Sequence, residues 1–181
     1  DDDDHDDDHD DHDHEHVDGK DPHTWLDPVY AQQMVKNIME GLIEVDGNEA
    51  QYYRENAEKY IKELKALDES FIEAFKKTKT DTIIYGGHFA FGYFTERYHL
   101  NHISPYIGFS PNAEPTPNRI IELIKTLEQS EIKVIYYEEL VDPKVATIIS
   151  EETGAKMLLL HGAHNISKEE LQSNITYVEI M

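Results

Sequence analysis

Residues 1–16 contain only Asp, Glu and His, and a stretch without one apolar side chain has nothing to bury. Any packed core in this chain must therefore come from the residues after it. Ten of the sixteen are Asp and one is Glu15. The other five are His5, His9, His12, His14 and His16. Such a run is expected to be disordered and to bind metal weakly. Imidazole nitrogen is a good ligand for zinc, copper and nickel, and carboxylates add charge and further donors. An acidic run is often only a solvated tail or linker. A pure Asp run fits that reading, whereas five interleaved imidazoles fit it poorly.

The chain carries 38 acidic and 16 basic residues, a net charge of -22. Eleven of the acids lie in the opening run, and 27 acids against 16 bases follow it. Both parts repel phosphate, which argues against a nucleic-acid partner. There is no cysteine, so disulfides and thiolate metal sites are excluded. No apolar run is long enough to span a membrane, and no signal peptide is visible. A chain that begins inside an acidic run without an initiator Met reads as a fragment of a longer protein.

Asp27-Pro28 has the form of a helix start, with Asp27 as N-cap and Pro28 at the first helical position. Val29, Val35, Ile38, Met39 and Leu42 supply its apolar stripe, and Gly47-Asn48 ends it. From Tyr53 to Phe75 apolar residues recur at three- and four-residue steps. They predict a helix over about 49–77, roughly 40 Å long at 1.5 Å per residue. From Asp81 onward strands alternate with helices. Strands are expected at 82–85, 103–107, 133–137 and 156–160. Helices are expected at 89–98, from Thr116-Pro117 with Ile120, Ile121, Ile124 and Leu127 inward, from Asp142-Pro143 to Gly154, and after Ser167. Ser167 and Glu170 form a capping box. This alternation predicts an α/β fold with a mostly parallel sheet, whose ligands bind at the carboxyl ends of strands.

Histidines sit where such a sheet places its site. His88 follows the first strand across Gly86-Gly87, His161 and His164 follow the last, and His23 precedes a helix. Each alone is more often a satisfied or surface histidine. Their common placement, in a chain that opens with a metal-binding tract, favours a metal site. His99 and His102, near a strand start, are read as non-ligands. Enzymatic patterns are weak, since Gly-x-Gly-x-x-Gly, phosphate-loop, Gly-x-Ser-x-Gly and His-Glu-x-x-His motifs are all missing. Glu138 and Glu139 follow a strand and offer acid/base groups, but adjacent glutamates usually provide one structural contact and one solvated side chain.

The segment Asp21-Pro22-His23-Thr24-Trp25-Leu26-Asp27-Pro28 resembles the zinc-binding proteins of bacterial ABC importers, the ZnuA-like branch of the cluster A-I solute-binding proteins. Residues 85–94 (Tyr-Gly-Gly-His-Phe-Ala-Phe-Gly-Tyr-Phe), Ala113-Glu114-Pro115-Thr116, and residues 135–138 with Pro143 and 152–155 are similar to later segments of that family. The resemblance implies two α/β lobes joined by one long helix, with zinc in the cleft between them. It divides this chain into a His/Asp-rich metal-binding loop (1–20), the end of the amino-terminal lobe (21–47), the connecting helix (48–79) and most of the carboxyl-terminal lobe (80–181). It implies metal ligands at His23 and His88. The family's first His ligand would lie upstream of Asp1, and its last helix would continue past Met181. Many members place an acidic fourth ligand after the last strand, but residues 161–167 contain no acid. His164 takes that place by position, with His161 as fallback and water as the alternative.

The function so implied is non-enzymatic: an extracytoplasmic receptor, periplasmic or a membrane-anchored lipoprotein, that captures Zn2+ as a monomer. It would deliver the ion to an ABC permease with its cytoplasmic ATPase. Protons should compete with the metal for the imidazoles, so acid should release it. A manganese or iron receptor of the same fold is the first rival. Manganese favours carboxylates, and that branch usually has Glu at the position of His88. A surface adhesin is the second rival, and a metal-assisted hydrolase a distant third.

Overall fold

The computed structural model describes residues 20–106 and 114–181. The reading of residues 1–16 as a metal-collecting tract lies outside them. Asp27 caps α1 (Pro28–Val45): its carboxylate accepts from the N–H groups of Val29 at 2.7 Å and Tyr30 at 3.2 Å, and Pro28 occupies the first turn. A single 3₁₀ turn (Gly47–Glu49) leads into α2 (Ala50–Phe75), whose 26 residues make the longest element. Ala57, Leu64 and Leu67 form its buried stripe. The apolar stripe expected on α1 is only partly covered, for Val29, Ile38 and Leu42 are exposed while Ala31 and Gln32 are buried.

The α/β part follows as β1 (Thr82–Ile84), α3 (Gly92–Tyr98), β2 (Asn101–Ile103), α4 (Pro117–Gln129), β3 (Val134–Tyr137), α5 (Lys144–Thr153), β4 (Lys156–Leu159), α6 (Lys168–Ser173) and α7 (Tyr177–Ile180). Three expectations need correction. α3 begins at Gly92 and not at Phe89, because Phe89 and Phe91 are buried as core side chains of a loop. β2 lies at Asn101–Ile103 and not at 103–107. His99 closes α3 in the left-handed region (φ 55°), and the chain enters the sheet at once, the Asn101 N–H donating to the Asp81 carbonyl at 2.7 Å. On α4 the inward residues include Leu123 and Leu127, whereas Ile121 points out. The Ser167/Glu170 capping box forms, and a second one, Thr176/Glu179, starts α7.

β1 pairs in parallel with β2, and β3 in parallel with β4. The two pairs meet at a parallel bridge between Tyr85 and Tyr136, where the Gly86 N–H donates to the Tyr136 carbonyl at 2.8 Å. The spatial order is β2-β1-β3-β4, so the strand order reverses between β1 and β3. One face of the sheet is covered by α4 and α5, with Ile84, Leu123, Leu127, Ile135, Ala146 and Ile149 as its core. Gly86 allows α5 to come this close, since a Cβ there would lie 2.6 Å from that of Ala146. The other core gathers Leu26, Tyr85, Phe89, Phe91 and Phe94, against which Phe71 and Phe75 of α2 pack. Open α/β sheets bind ligands at the carboxyl ends of their strands, where the order reverses. Here that point is the loop after β1 beside the loop after β3.

Candidate metal centre

A cavity of about 400 Å³ opens at that reversal point. It is lined by His23, His88, Glu138, Glu139 and His164, with Phe89 as part of its apolar wall. His23 comes from the segment before α1, His88 from the loop after β1, the glutamates from the loop after β3, and His164 from the loop after β4. Three of the histidines singled out by sequence therefore share one cavity. The rings of His23 and His164 have their centroids 5.0 Å apart. Two imidazoles on one tetrahedral ion, with Zn–N bonds of about 2.0–2.1 Å, have centroids about 5 Å apart. Among the described residues no group of three or more His, Asp and Glu side chains is already drawn together into a formed metal site.

Each loop is held by its own contacts. The Asp21 carboxylate accepts from the His23 N–H at 2.9 Å and lies 2.6 Å from its Nδ1. Tyr93 Oη in turn donates to the Asp21 carbonyl at 3.0 Å. His88 Nδ1 is 3.4 Å from Glu138 Oε1, and its ring packs on Tyr106 at 4.3 Å. Glu139 is buried and ties down the last loop. Its Oε2 accepts from the Gly162 N–H at 2.8 Å and its Oε1 from the His164 N–H at 3.1 Å. Burial alone would push the Glu139 carboxyl up. The backbone N–H groups of Gly162 and His164, with the His161 ring nearby, outweigh burial and hold it below the usual glutamate range. Its contribution to stability is thus complete above the ordinary glutamate pKa and is lost as pH falls through the lowered folded value.

Trp25 packs beside two of these imidazoles. Its indole N–H donates to the Gly162 carbonyl at 3.0 Å, and its ring lies 5.3 Å from that of His164 and 5.4 Å from that of His23. It is the only tryptophan in the chain.

His161 is not brought to this cavity. Its side chain, 8 % exposed, lines a second cavity of about 340 Å³ on the far side of the loop, with Glu170 and Phe94. Its Nδ1 accepts from the Ala163 N–H at 2.9 Å. His99 and His102 also lie elsewhere, His99 at the end of α3 and His102 on β2, stacked on Phe89 at 3.8 Å. Sequence reasoning missed Asp21 beside His23 and Glu138 beside His88. Asp21, two residues from a candidate ligand, was the one signal available.

The family model described as zinc-uptake complex component A, periplasmic (ZnuA), matches residues 1–181. The high-affinity zinc uptake system protein ZnuA of Bacillus subtilis (strain 168) is 37% identical over 161 residues, which is 89% of this chain and 50% of that protein. The chain thus spans about half the length of that curated relative. The crystal structure of the metal-dependent lipoprotein YcdH from Bacillus subtilis superposes with a TM-score of 0.75 at 35% identity, covering 92% of this chain and 64% of that one. The Zn(II)-bound ZnuA-like domain of Streptococcus pneumoniae AdcA gives 0.73 at 30% identity, covering 88% and 59%. With a reversal-point cavity of imidazoles and a family match that runs its whole length, the chain belongs to the ZnuA family of zinc-uptake components.

Proposed function

We propose that this chain is the metal-capturing part of an extracytoplasmic receptor that takes up Zn2+ and passes it to an ABC-type importer, its permease and ATPase. The receptor is a periplasmic protein or a membrane-anchored lipoprotein and acts as a monomer. Its family is one of binding receptors and not an enzyme class, and the cavity's role is capture without chemistry on the cargo. No described helix is long and apolar enough to cross a membrane. In this reading residues 21–47 end one lobe, 48–79 form the connecting helix, and 80–181 form most of the second lobe.

The observation that carries the proposal is the 5.0 Å approach of His23 and His164 in a cavity that His88 also lines. His23, His88 and His164 are the proposed ligands, leaving one position of a tetrahedral ion for another donor. An imidazole set favours zinc over manganese, which prefers oxygen donors. Trp25 makes the test simple. Zinc added to the full-length protein should change, in a saturable way, the part of its tryptophan emission that a Trp25→Phe variant lacks, and manganese at equal concentration should leave it nearly unchanged. If manganese competed as well as zinc, the receptor would belong with the rival metal. If neither ion moved the emission, the ligand set would be wrong.

Residues 1–16 are proposed to bind further zinc weakly. Their deletion should lower the number of zinc ions bound in equilibrium dialysis while the tight site and the thermal unfolding temperature persist. Loss of the tight site would contradict a purely collecting role.

A further inference from the structure

Each imidazole of the cavity stands beside a different carboxylate, and in each case the near nitrogen is Nδ1. His23 Nδ1 lies 2.6 Å from Asp21, His88 Nδ1 lies 3.4 Å from Glu138, and His164 Nδ1 lies 3.4 Å from Glu139. Each pair is also fitted around a glycine. A Cβ on Gly92 would lie 2.7 Å from Asp21 Oδ2, one on Gly87 2.9 Å from Glu138 Oε1, and one on Gly162 2.6 Å from His164 Nδ1. Gly87 lies in the loop after β1, Gly92 opens α3 and Gly162 lies in the loop after β4, so the pattern is not a by-product of one turn.

We propose that Asp21, Glu138 and Glu139 are the positioning residues of this cavity, each holding one imidazole at Nδ1 so that His23, His88 and His164 all present Nε2 to the ion. This rests on the ligand assignment proposed above. A carboxylate that accepts from Nδ1–H fixes the tautomer, orients the ring and makes the other nitrogen a better donor. It also addresses charge. Neutral imidazoles leave the two positive charges of zinc uncompensated, and the loop after β4 has no acid to offer as a ligand. Three carboxylates behind the rings supply that negative charge without touching the ion. The cavity would then keep the nitrogen donors that select zinc and still neutralise it.

The test uses full-length protein labelled with 15N at histidine. In the zinc-loaded state, long-range 1H–15N spectra should show the His23, His88 and His164 rings bound through Nε2 and protonated at Nδ1. Asp21→Ala and Glu138→Ala should each lower zinc affinity by about 10- to 100-fold, the usual effect of losing an outer partner of a ligating histidine. Glu138→Gln, which restores an acceptor, should recover part of the loss. Glu139 also receives two backbone N–H bonds, so its variants risk opening the loop; the wild-type His164 spectrum tests its role instead. Ligation through Nδ1 by any of the three rings would overturn the proposal for that pair. So would wild-type zinc affinity in the folded Asp21 and Glu138 variants. His88→Ala serves as the control: if it weakens zinc and the carboxylate variants do not, only the positioning role fails. If His88→Ala is also silent, the ligand assignment has failed first.

Discussion

Replacing His164 by alanine is expected to lower zinc affinity by on the order of 100-fold or more, at or beyond the upper end of the effect of losing an outer-shell partner. His161→Ala should change it little. The two histidines are three residues apart, yet the loop sends them to opposite sides. Ala163 between them takes a left-handed conformation (φ 51°), and Glu139 fixes the turn through the N–H groups of Gly162 and His164. His164 therefore faces His23, while His161 packs inward with Nε2 3.5 Å from Glu170 Oε1. Removing the buried His161 ring should cost stability and not metal. Competition against a chelator of known affinity, beside thermal unfolding, separates the two effects. Equal losses of affinity in both variants would overturn the assignment of the ligand to His164 over His161.

Asp27→Ala should produce the largest loss of stability of any single change near the site, about 3 kcal/mol, the lower end of what breaking a buried ion pair costs. Asp27 is 1 % exposed and has two tasks. It caps α1, and a lost N-cap alone costs about 0.5–2 kcal/mol. It also pairs with Arg97 on α3, whose guanidinium its hydrogen bond holds above the usual arginine range. The lower end applies because Arg97 is partly exposed and regains water when its partner leaves. Asp27→Asn keeps an oxygen for the cap and removes the charge, so it should fall between wild type and alanine. Urea unfolding of the three proteins measures both increments. A loss below about 0.5 kcal/mol for alanine, less than an ordinary cap, would show that α1 and α3 are not coupled through this residue. The coupling matters for the site because Asp27 follows the His23 segment and α3 follows the His88 loop.

Much of this fold was legible in the sequence because its signals were local. Asp27-Pro28, Ser167 with Glu170, and Gly154 (φ 70°) mark element ends through contacts a few residues long, and all three ends form as read. Thr176 with Glu179 carries the same signal and went unread. The misplacement of β2 had a local cause as well, a left-handed His99 that no residue type announces as glycine would. The site divides along the same line. That His88 and His164 follow strands could be read from strand–loop order alone. Which of His161 and His164 faces the cavity could not, because that depends on Glu139, whose hydrogen-bond partner Gly162 lies 23 residues away. The expectation of one structural and one solvated glutamate was half right. Glu139 is the structural one, but Glu138 is turned toward His88 and only 20 % exposed.

The hydrogen bonds around Trp25 join the two ends of the described chain. Its carbonyl accepts from the hydroxyl of Tyr177, 152 residues later, and its indole N–H donates to the carbonyl of Gly162. Contacts that span most of a chain close late, since the loop they complete is the costliest in entropy. The walls that hold His23 and His164 together can therefore meet only after β4 and α7 have docked. A chain in which these two hydrogen bonds had not formed would carry every imidazole of the cavity without the contacts that hold Trp25 beside His23 and His164. Bound metal would in turn favour the fully docked state by mass action, so that an ion in the cavity reports a finished molecule and helps to keep it finished.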